Sequence, residues 1–236
     1  PALQQSDPLL EVKGVTLQYK TSEHLVTATY RVDFNVFDSE RFVLLGPSGC
    51  GKSSLLKAVG GYMPPVEGTI KLKNELVTKP GPDRMMVFQE FDQLLPWKTV
   101  VENVMFPLVA SGKMRSSEAR TQALHYIDKV NLSKFADNYP HTLSGGMKQR
   151  VSIARGMAME PSILLMDEPF AALDAITRED LQRDFLALCQ AQGTAVLFVT
   201  HDMAEAVYLA DHVSLMHAGR IQAPLHIALP RPRQSA

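Results

Sequence analysis

An apolar run at positions 42–45 leads directly into a glycine-rich turn, and helix-forming residues follow at positions 53–59. An uninterrupted short apolar run is typical of a strand that is buried on both faces. The glycines of the turn permit backbone conformations that a Cβ atom hinders. The stretch therefore predicts a buried strand, a tight loop and a helix in direct succession.

The turn fits the pattern GxxxxGK[ST], in which backbone N–H groups wrap phosphate groups. Its glycines let the main chain approach an anion closely, and the N-terminus of the following helix adds partial positive charge. Lys52 supplies a charge to the β- and γ-phosphates of a nucleotide, and the Ser53 hydroxyl is placed to coordinate Mg²⁺. The residues predicted to bind nucleotide here are Gly46, Pro47, Ser48, Gly49, Cys50, Gly51, Lys52, Ser53 and Ser54.

Two adjacent carboxylates, Asp167 and Glu168, follow a second apolar run at positions 163–166. Because successive side chains of a strand point opposite ways, the two carboxylates can take different roles. We expect Asp167 to join the Mg²⁺ shell and Glu168 to polarise an attacking water. Two solvated carboxylates at a strand end are the alternative for the pair alone. The phosphate-binding loop in the same chain favours the catalytic interpretation.

Strands and helices alternate along most of the chain. Period-2 alternation at positions 10–19 and 29–37 predicts a small antiparallel sheet first. Further short apolar runs, which predict buried strands, lie at positions 85–88, 163–166, 195–200 and 213–216. We therefore expect an α/β fold: a P-loop NTPase with a mostly parallel sheet covered on both faces, preceded by the antiparallel β-subdomain.

Positions 92–159 break this alternation, because residues 117–130 and 146–157 have helical patterns with no buried strand between them. We predict a single domain over positions 1–236 with a helical subdomain inserted at 92–159. The proline- and arginine-containing tail at 224–236 is expected to be irregular and mobile.

Composition excludes several classes of function. Lys and Arg number 24 against 25 for Asp and Glu, so the net charge of −1 offers no basic excess for a nucleic-acid partner. No apolar stretch approaches the roughly 18 residues of a membrane helix. Two distant cysteines indicate a reducing compartment, and we see no export signal and no histidine spacing typical of zinc sites.

A second glycine-rich helix start lies at Ser144, Gly145 and Gly146, immediately before a helical run. It makes a second anion-receptive N-terminus, which one chain rarely needs for one nucleotide. LSGGMKQR at 143–150, the loop at 46–53, LLMDEP at 164–169 and VTHD at 199–202 together resemble the nucleotide-binding subunit of ATP-binding cassette (ABC) transporters. The resemblance covers positions 9–221, and the motifs occur in the order typical of that family.

The resemblance implies roles for further residues. Tyr19 takes the adenine-stacking position, with a packed core tyrosine as the alternative. Gln89 takes the position of a glutamine that contacts Mg²⁺ and the attacking water and senses the membrane subunit. His201 takes that of a histidine that holds the γ-phosphate, and Asp174 lies in the loop that contacts the other subunit.

The resemblance also implies cofactors and partners. ATP and Mg²⁺ are the expected cofactors. Two cassettes close head to tail in this family, so that Ser144 to Gly146 of one chain would cover the ATP held by Lys52 of an identical partner. The implied system adds two transmembrane permease subunits and an exported substrate-binding protein, with this chain at the cytoplasmic face of the inner (cell) membrane.

The segment around Trp97 narrows the expected function. Gln89-Glu90, then LLPW at 94–97 and VENV at 101–104, looks like the branch that serves nitrate, sulfonate, taurine and similar small anions. We therefore expect an ATPase, converting ATP and water to ADP and phosphate, that powers an importer. Trp97 could instead be a helix-cap or core aromatic.

Two other functions compete with the importer subunit. A soluble ABC ATPase of DNA repair, chromosome organisation or translation usually has a coiled-coil insertion, a paired cassette or basic extensions, and this sequence has none of these. A small-molecule kinase of the P-loop class would leave the LSGG stretch without a purpose.

Overall fold

A computed structural model describes residues 6–233 of the chain. Contacts divide it into two compact units: the first runs to Gly81 and resumes at Gly193, and the second covers Pro82–Gln192.

The strands described in the first unit are β1 (Leu10–Lys20), β2 (Leu25–Val36), β3 (Arg41–Leu45), β4 (Glu67–Leu72), β5 (Glu75–Leu76), β8 (Ala195–Thr200), β9 (His212–His217), β10 (Arg220–Ile221) and β11 (Leu225–His226). Its helices are α1 (Lys52–Val59) and α6 (Met203–Leu209). The second unit contributes β6 (Arg84–Val87), β7 (Ile163–Asp167), α2 (Val100–Ala110), α3 (Ser116–Lys129), α4 (Gly145–Ala158) and α5 (Ala175–Gln192).

The antiparallel sheet of the first unit has the order β2-β1-β4-β5. Alternation along β1 and β2 puts one face into the core, where Val15 lies opposite Val32 and both are fully buried. A bulge interrupts the ladder at Gly14, whose φ is 61°. The alternation of apolar and polar residues in the sequence did not predict β4, because Gly68 and charged residues interrupt its short apolar pattern.

Among the remaining strands of the first unit, β3, β8 and β9 are parallel, whereas β10 and β11 each pair antiparallel with β9. β3 lies between β8 and β9 and is parallel to both, with Leu44 opposite Val199 and Ser214. Every residue of β3 and β8 is buried, as their apolar runs predict. Leu45 pairs with Thr200, so the carboxyl ends of β3 and β8 lie side by side.

The tail that begins at position 224 contains β11, which pairs with β9. Arg231 Nη2 donates to the carbonyl oxygen of Leu209 at 3.0 Å, and Arg233 donates to further carbonyls at the same end of α6. The last carbonyls of a helix have no partner within the helix, so these guanidinium groups satisfy them. Positions 234–236 of the predicted mobile tail lie outside the described residues.

In the second unit β6 and β7 are parallel, with Val87 opposite Met166. Between them the described residues form helices and turns, with α2, α3 and α4 packed on one another. Gly156 lets α4 approach β7 closely, because a Cβ there would lie 2.9 Å from Leu164 Cδ1. The predicted bounds of α3 and α4 differ from the observed ones by one residue.

The parallel pairs, the helices between strands and the separate antiparallel sheet confirm the predicted α/β class. Within residues 6–233, no helix combines the length and apolarity that crossing a membrane requires.

Candidate active site

The loop between β3 and α1, residues 46–53, is the phosphate loop. Gly51 precedes α1 with φ 103°, and its carbonyl accepts the Leu55 N–H at 3.0 Å. A Cβ on Gly51 would clash with the carbonyl oxygen of Ala28, and one on Gly46 with that of Met216. Glycine is required at both ends of the loop because backbone touches backbone there.

Lys52 is 5% exposed, and its ammonium group lies against the loop itself. Nζ donates to the carbonyl oxygens of Gly46 at 2.5 Å and Pro47 at 2.8 Å. A buried ammonium requires such partners, because an unpaired charge away from water is costly. The positive charge is therefore fixed where the loop's backbone turns.

Other predicted loop residues differ in exposure. The exposed ones are Pro47, Ser48, Gly49 and Ser53, and Gly46, Gly51 and Ser54 are half-buried. Cys50 is 6% exposed, and its Sγ lies 3.8 Å from Lys52 Nζ. The side chain of Cys50 therefore packs inside the loop, and only its backbone can serve a ligand.

His201 directly follows β8 and is exposed. Thr200 Oγ1 accepts the Asp202 N–H at 3.0 Å, and Asp202 Oδ1 accepts the Glu205 N–H at 3.1 Å and caps α6. Gly46 N–H donates to Thr200 O at 3.2 Å. The phosphate loop and His201 thus begin at adjacent strand ends, as predicted for parallel strands.

Tyr19 lies near the end of β1, opposite Val26, and is 44% exposed. That exposure argues against the alternative of a packed core tyrosine. An open aromatic face is what base stacking requires.

In the second unit, Gln89 and the carboxylate pair lie at the same edge of the β6–β7 pair. Asp167 ends β7 and is half-buried, as is Glu168. Gln89 follows β6 and is exposed. The register Val87–Met166 brings the two strand ends together, so the unit holds an amide and two carboxylates at one edge.

Glu168 adopts φ 44°, in the left-handed region that only glycine, asparagine and aspartate visit readily. Such backbone strain persists only where the surroundings impose it, and it clusters at functional sites. Seven other described non-glycine residues, Glu160 among them, also have a positive φ, so the strain at Glu168 agrees with its assignment as the catalytic carboxylate but does not single it out.

The second glycine-rich helix start, Ser144 to Gly146, is the signature turn. Ser144 is exposed and caps α4, since its Oγ accepts the Met147 N–H at 3.2 Å. Gly145 is half-buried and Gly146 buried. A Cβ on Gly146 would lie 2.5 Å from Thr177 Cγ2, so this glycine also permits the close packing of α4 on α5.

Asp174 caps the next helix, α5. Its Oδ1 accepts the Thr177 N–H at 3.0 Å, and its Oδ2 accepts the Thr177 hydroxyl at 2.7 Å. These two hydrogen bonds, the backbone one first, lower the pKa of Asp174. Both oxygens thus have partners in their own chain, and the predicted contact of this loop with a second subunit remains a prediction.

Sequence reasoning missed Arg178, which braces the loop after Glu168. Its Nε donates to Phe170 O at 3.2 Å and its Nη2 to Leu173 O at 2.8 Å. A positive charge in the first turn of a helix interacts unfavourably with the helix dipole. This unfavourable position of an arginine was the one feature of the sequence that could have drawn attention to Arg178.

The predicted Mg²⁺ ligands all offer oxygen: Ser53 in the first unit, and Asp167 and Gln89 in the second. Mg²⁺ prefers oxygen ligands and is usually held by one or two carboxylates with substrate phosphates and waters. Across residues 6–233, no group of three or more His, Cys, Asp or Glu could hold a metal ion. Each unit thus offers donors of the kind that Mg²⁺ prefers, and Mg²⁺ itself is usually bound together with nucleotide phosphates.

Comparisons with known proteins agree with this geometry. The ABC transporter family model matches residues 30–171. An uncharacterised ABC transporter ATP-binding protein of Methanocaldococcus jannaschii is 44% identical over 95% of this chain and 84% of its own length. The bicarbonate transport ATP-binding protein CmpD of a Synechocystis strain is 40% identical over 99% and 84%. The nitrate transport protein NasD of Klebsiella oxytoca is 40% identical over 96% and 88%.

Solved structures give the same result. A dimeric bacterial ABC transporter cassette superposes with a TM-score of 0.81 at 33% identity, covering 92% of this chain and 98% of the other. A dimeric post-hydrolysis cassette with ADP and phosphate bound gives 0.79 at 32% identity over the same shares. The chain belongs to the ABC transporter family and is one of its ATP-binding, ATP-hydrolysing cassettes.

Proposed function

We propose that this ATPase powers the import of a small anion. The similarity over 99% and 96% of this chain to proteins named for bicarbonate and nitrate transport supports an anionic cargo. The observation that carries the ATPase mechanism is the pairing, in one chain, of the phosphate loop with the strained carboxylate Glu168.

Nucleotide binding rests on the first unit. The backbone N–H groups of the phosphate loop and Lys52 hold the β- and γ-phosphates, and Tyr19 stacks on adenine. Mg²⁺, when bound, neutralises charge on the phosphates, and Ser53, Asp167 and Gln89 are the residues that would hold it.

Hydrolysis requires a water aligned with the γ-phosphate. Glu168 accepts a hydrogen bond and then the proton from this water, whose oxygen attacks the γ-phosphorus. The bond to the bridging oxygen breaks, and ADP and phosphate are released. His201 orients the γ-phosphate, and Gln89 helps to align the water.

Two copies form the working ATPase in this proposal. Ser144 of the signature turn is exposed and stands at a helix N-terminus, which is suited to an anion. We assign this turn, with Gly145, Gly146 and the Asp174 loop, to the nucleotide of an identical partner chain. The dimeric solved relatives support this arrangement.

An exposed apolar surface around α2, the α2 patch, supports a membrane partner. Its members are Trp97, 68% exposed, Tyr139, 43%, Phe106, 47%, and Val109, 42%. Trp97 is therefore not a core aromatic. Exposed apolar patches mark interaction sites, and we assign this one to the permease subunits at the cytoplasmic membrane face.

Transport can be tested in proteoliposomes that contain this chain and candidate permease subunits, with a candidate exported binding protein added. We expect ATP-dependent accumulation of nitrate, bicarbonate or taurine, and no accumulation with Lys52→Ala. Robust ATP hydrolysis without uptake of any small anion would contradict the anion importer.

A further inference from the structure

A buried glutamine in α4 joins the backbone beside both proposed catalytic residues of the second unit. Gln149 is fully buried. Its Nε2 donates to the carbonyl oxygens of Phe88 at 2.8 Å and Pro169 at 2.6 Å. Phe88 immediately precedes Gln89, and Pro169 immediately follows Glu168. One side chain thus ties together the two backbone positions next to Gln89 and Glu168.

A second glutamine orients the first. Gln93 Nε2 donates to Gln149 Oε1 at 2.8 Å and to the carbonyl of Phe88 at 2.9 Å, and Gln93 Oε1 accepts the Phe88 N–H at 3.1 Å. The carbonyl of Gln93 in turn accepts from Arg155 Nη1 at 3.0 Å. Because β6 ends at Val87, the residues 88–93 lie outside the strand. Hydrogen bonds from side-chain amides hold the backbone of this segment instead.

This arrangement goes beyond what packing requires. A buried amide costs stability unless its hydrogen bonds are made, and an apolar side chain of similar size would fill the same space. Gln149 instead donates hydrogen bonds from its amide to two backbone carbonyls. Glu168, beside one of them, holds a φ of 44° that the surroundings must maintain.

We propose that Gln149 is a positioning residue for ATP hydrolysis, fixing the Gln89 segment to the turn after Glu168, with Gln93 setting the orientation of its amide. The inference rests on the proposed roles of Gln89 and Glu168. Because Gln149 lies on the helix that the signature turn begins, it also connects that turn to the chain's own catalytic carboxylate.

The test compares ATP binding with turnover. Gln149→Leu keeps the bulk of the side chain but leaves the carbonyls of Phe88 and Pro169 without these donors. We expect kcat for phosphate release to fall by about 10²-fold, the cost of a misplaced reacting group. ATP affinity, measured by calorimetry in EDTA, should stay within about 3-fold, because the phosphate loop binds the nucleotide.

Asn103 offers a matched control in the same unit. It is also a fully buried amide, and it bonds the backbone of Leu95, Lys98 and Thr99, away from Gln89 and Glu168. Asn103→Leu should lower the thermal midpoint as Gln149→Leu does, with kcat of the surviving protein unchanged. Equal losses of kcat in both variants would reduce Gln149 to a structural role and overturn the inference.

Gln149→Glu adds a readout that a purely structural residue would not give. A carboxyl group can donate to a carbonyl only when it is protonated. The ratio of variant to parent kcat should therefore rise as pH falls. A ratio that does not change with pH, in a folded variant, would contradict the proposal.

Two further variants keep the test decisive. If Gln149→Leu fails to fold, Gln93→Leu removes the half-buried partner and should lower kcat in the same direction. Glu168→Gln identifies failure of the underlying function: if it hydrolyses ATP normally, the proposed catalytic role has failed. If it is inactive while Gln149→Leu and Gln93→Leu keep full kcat, only the positioning inference has failed.

Discussion

At the scale of single residues, binding and hydrolysis of ATP depend on different side chains. Lys52 is buried and held by carbonyls of the phosphate loop, whereas Glu168 is half-buried at the end of a strand in the other unit. Substitutions at the two positions should therefore have separable effects.

Glu168→Gln removes the proton acceptor and keeps the shape of the side chain. We expect ATP affinity within a few-fold of the parent and hydrolysis lowered by at least about 10²-fold. Calorimetry and phosphate release measure the two quantities. Lys52→Ala is the converse control, because it should lose affinity, and near-normal turnover of Glu168→Gln would remove this residue from catalysis.

Tyr126 gives a residue-scale prediction for pH. Its hydroxyl donates to Glu160 Oε1 at 3.0 Å, and its oxygen also lies 2.8 Å from the side-chain amide of Gln192. Burial and then Glu160 raise the pKa of Tyr126 to about 12. The unfolded pKa is about 10, so this contribution to stability is complete below pH 10 and is lost as pH rises through 12.

Tyr126→Phe should therefore lower the free energy of unfolding by about 1–2 kcal/mol at neutral pH. The difference from the parent should shrink above about pH 10. Urea unfolding at several pH values measures this, and a gap that stays constant to pH 12 would contradict the assigned pKa.

At the scale of elements, the phosphate loop and its flanking strand and helix were predictable, because a continuous apolar run, fixed glycines and a lysine are all local signals. The Gln93–Gln149 pair was not predictable. Its partners include the backbone carbonyls of Phe88 and Pro169, which are distant in sequence and carry no side-chain pattern. Cys50 was assigned to the loop correctly by spacing, but only packing reveals that its thiol is buried.

The contact between α4 and α5 gives an element-scale prediction. Gly146→Ala would press its Cβ against Thr177 Cγ2, and the Thr177 side chain cannot turn away without losing the hydrogen bond from its hydroxyl to Asp174 Oδ2. We expect a loss of about 1–3 kcal/mol in the free energy of unfolding. Thr177→Ser keeps the hydroxyl and deletes the methyl group, so it should reduce that loss. The two substitutions can be combined in a double-mutant cycle, with the free energies of unfolding measured in urea. A coupling energy of zero between them would contradict this packing.

At the scale of the whole molecule, the proposed dimer shares each site between two chains. Lys52→Ala damages the phosphate loop of its own chain, and Ser144→Arg damages the signature turn offered to the partner. If sites form across the interface, a mixed dimer of the two variants keeps one intact site. We expect ATPase activity on mixing, although each homodimer is inactive.

The control for mixing is a chain that carries both substitutions, paired with the parent chain. That dimer has two half-damaged sites in the shared arrangement, so it should be less active than the mixed dimer. No recovery in the mixed dimer, with heterodimers verified by tagged purification, together with activity in the control dimer would mean that each chain works alone.

If variants are selected for heat resistance alone, position 168 should be the first at which stabilising substitutions remove ATPase activity. The left-handed conformation costs about 1–2 kcal/mol for most residues but not for glycine, and asparagine adopts it more readily. Glu168 has a φ of 44°. Glu168→Gly and Glu168→Asn should thus survive a thermal screen while losing turnover. The residues found at position 168 among the survivors would show how much stability the glutamate costs in return for catalysis.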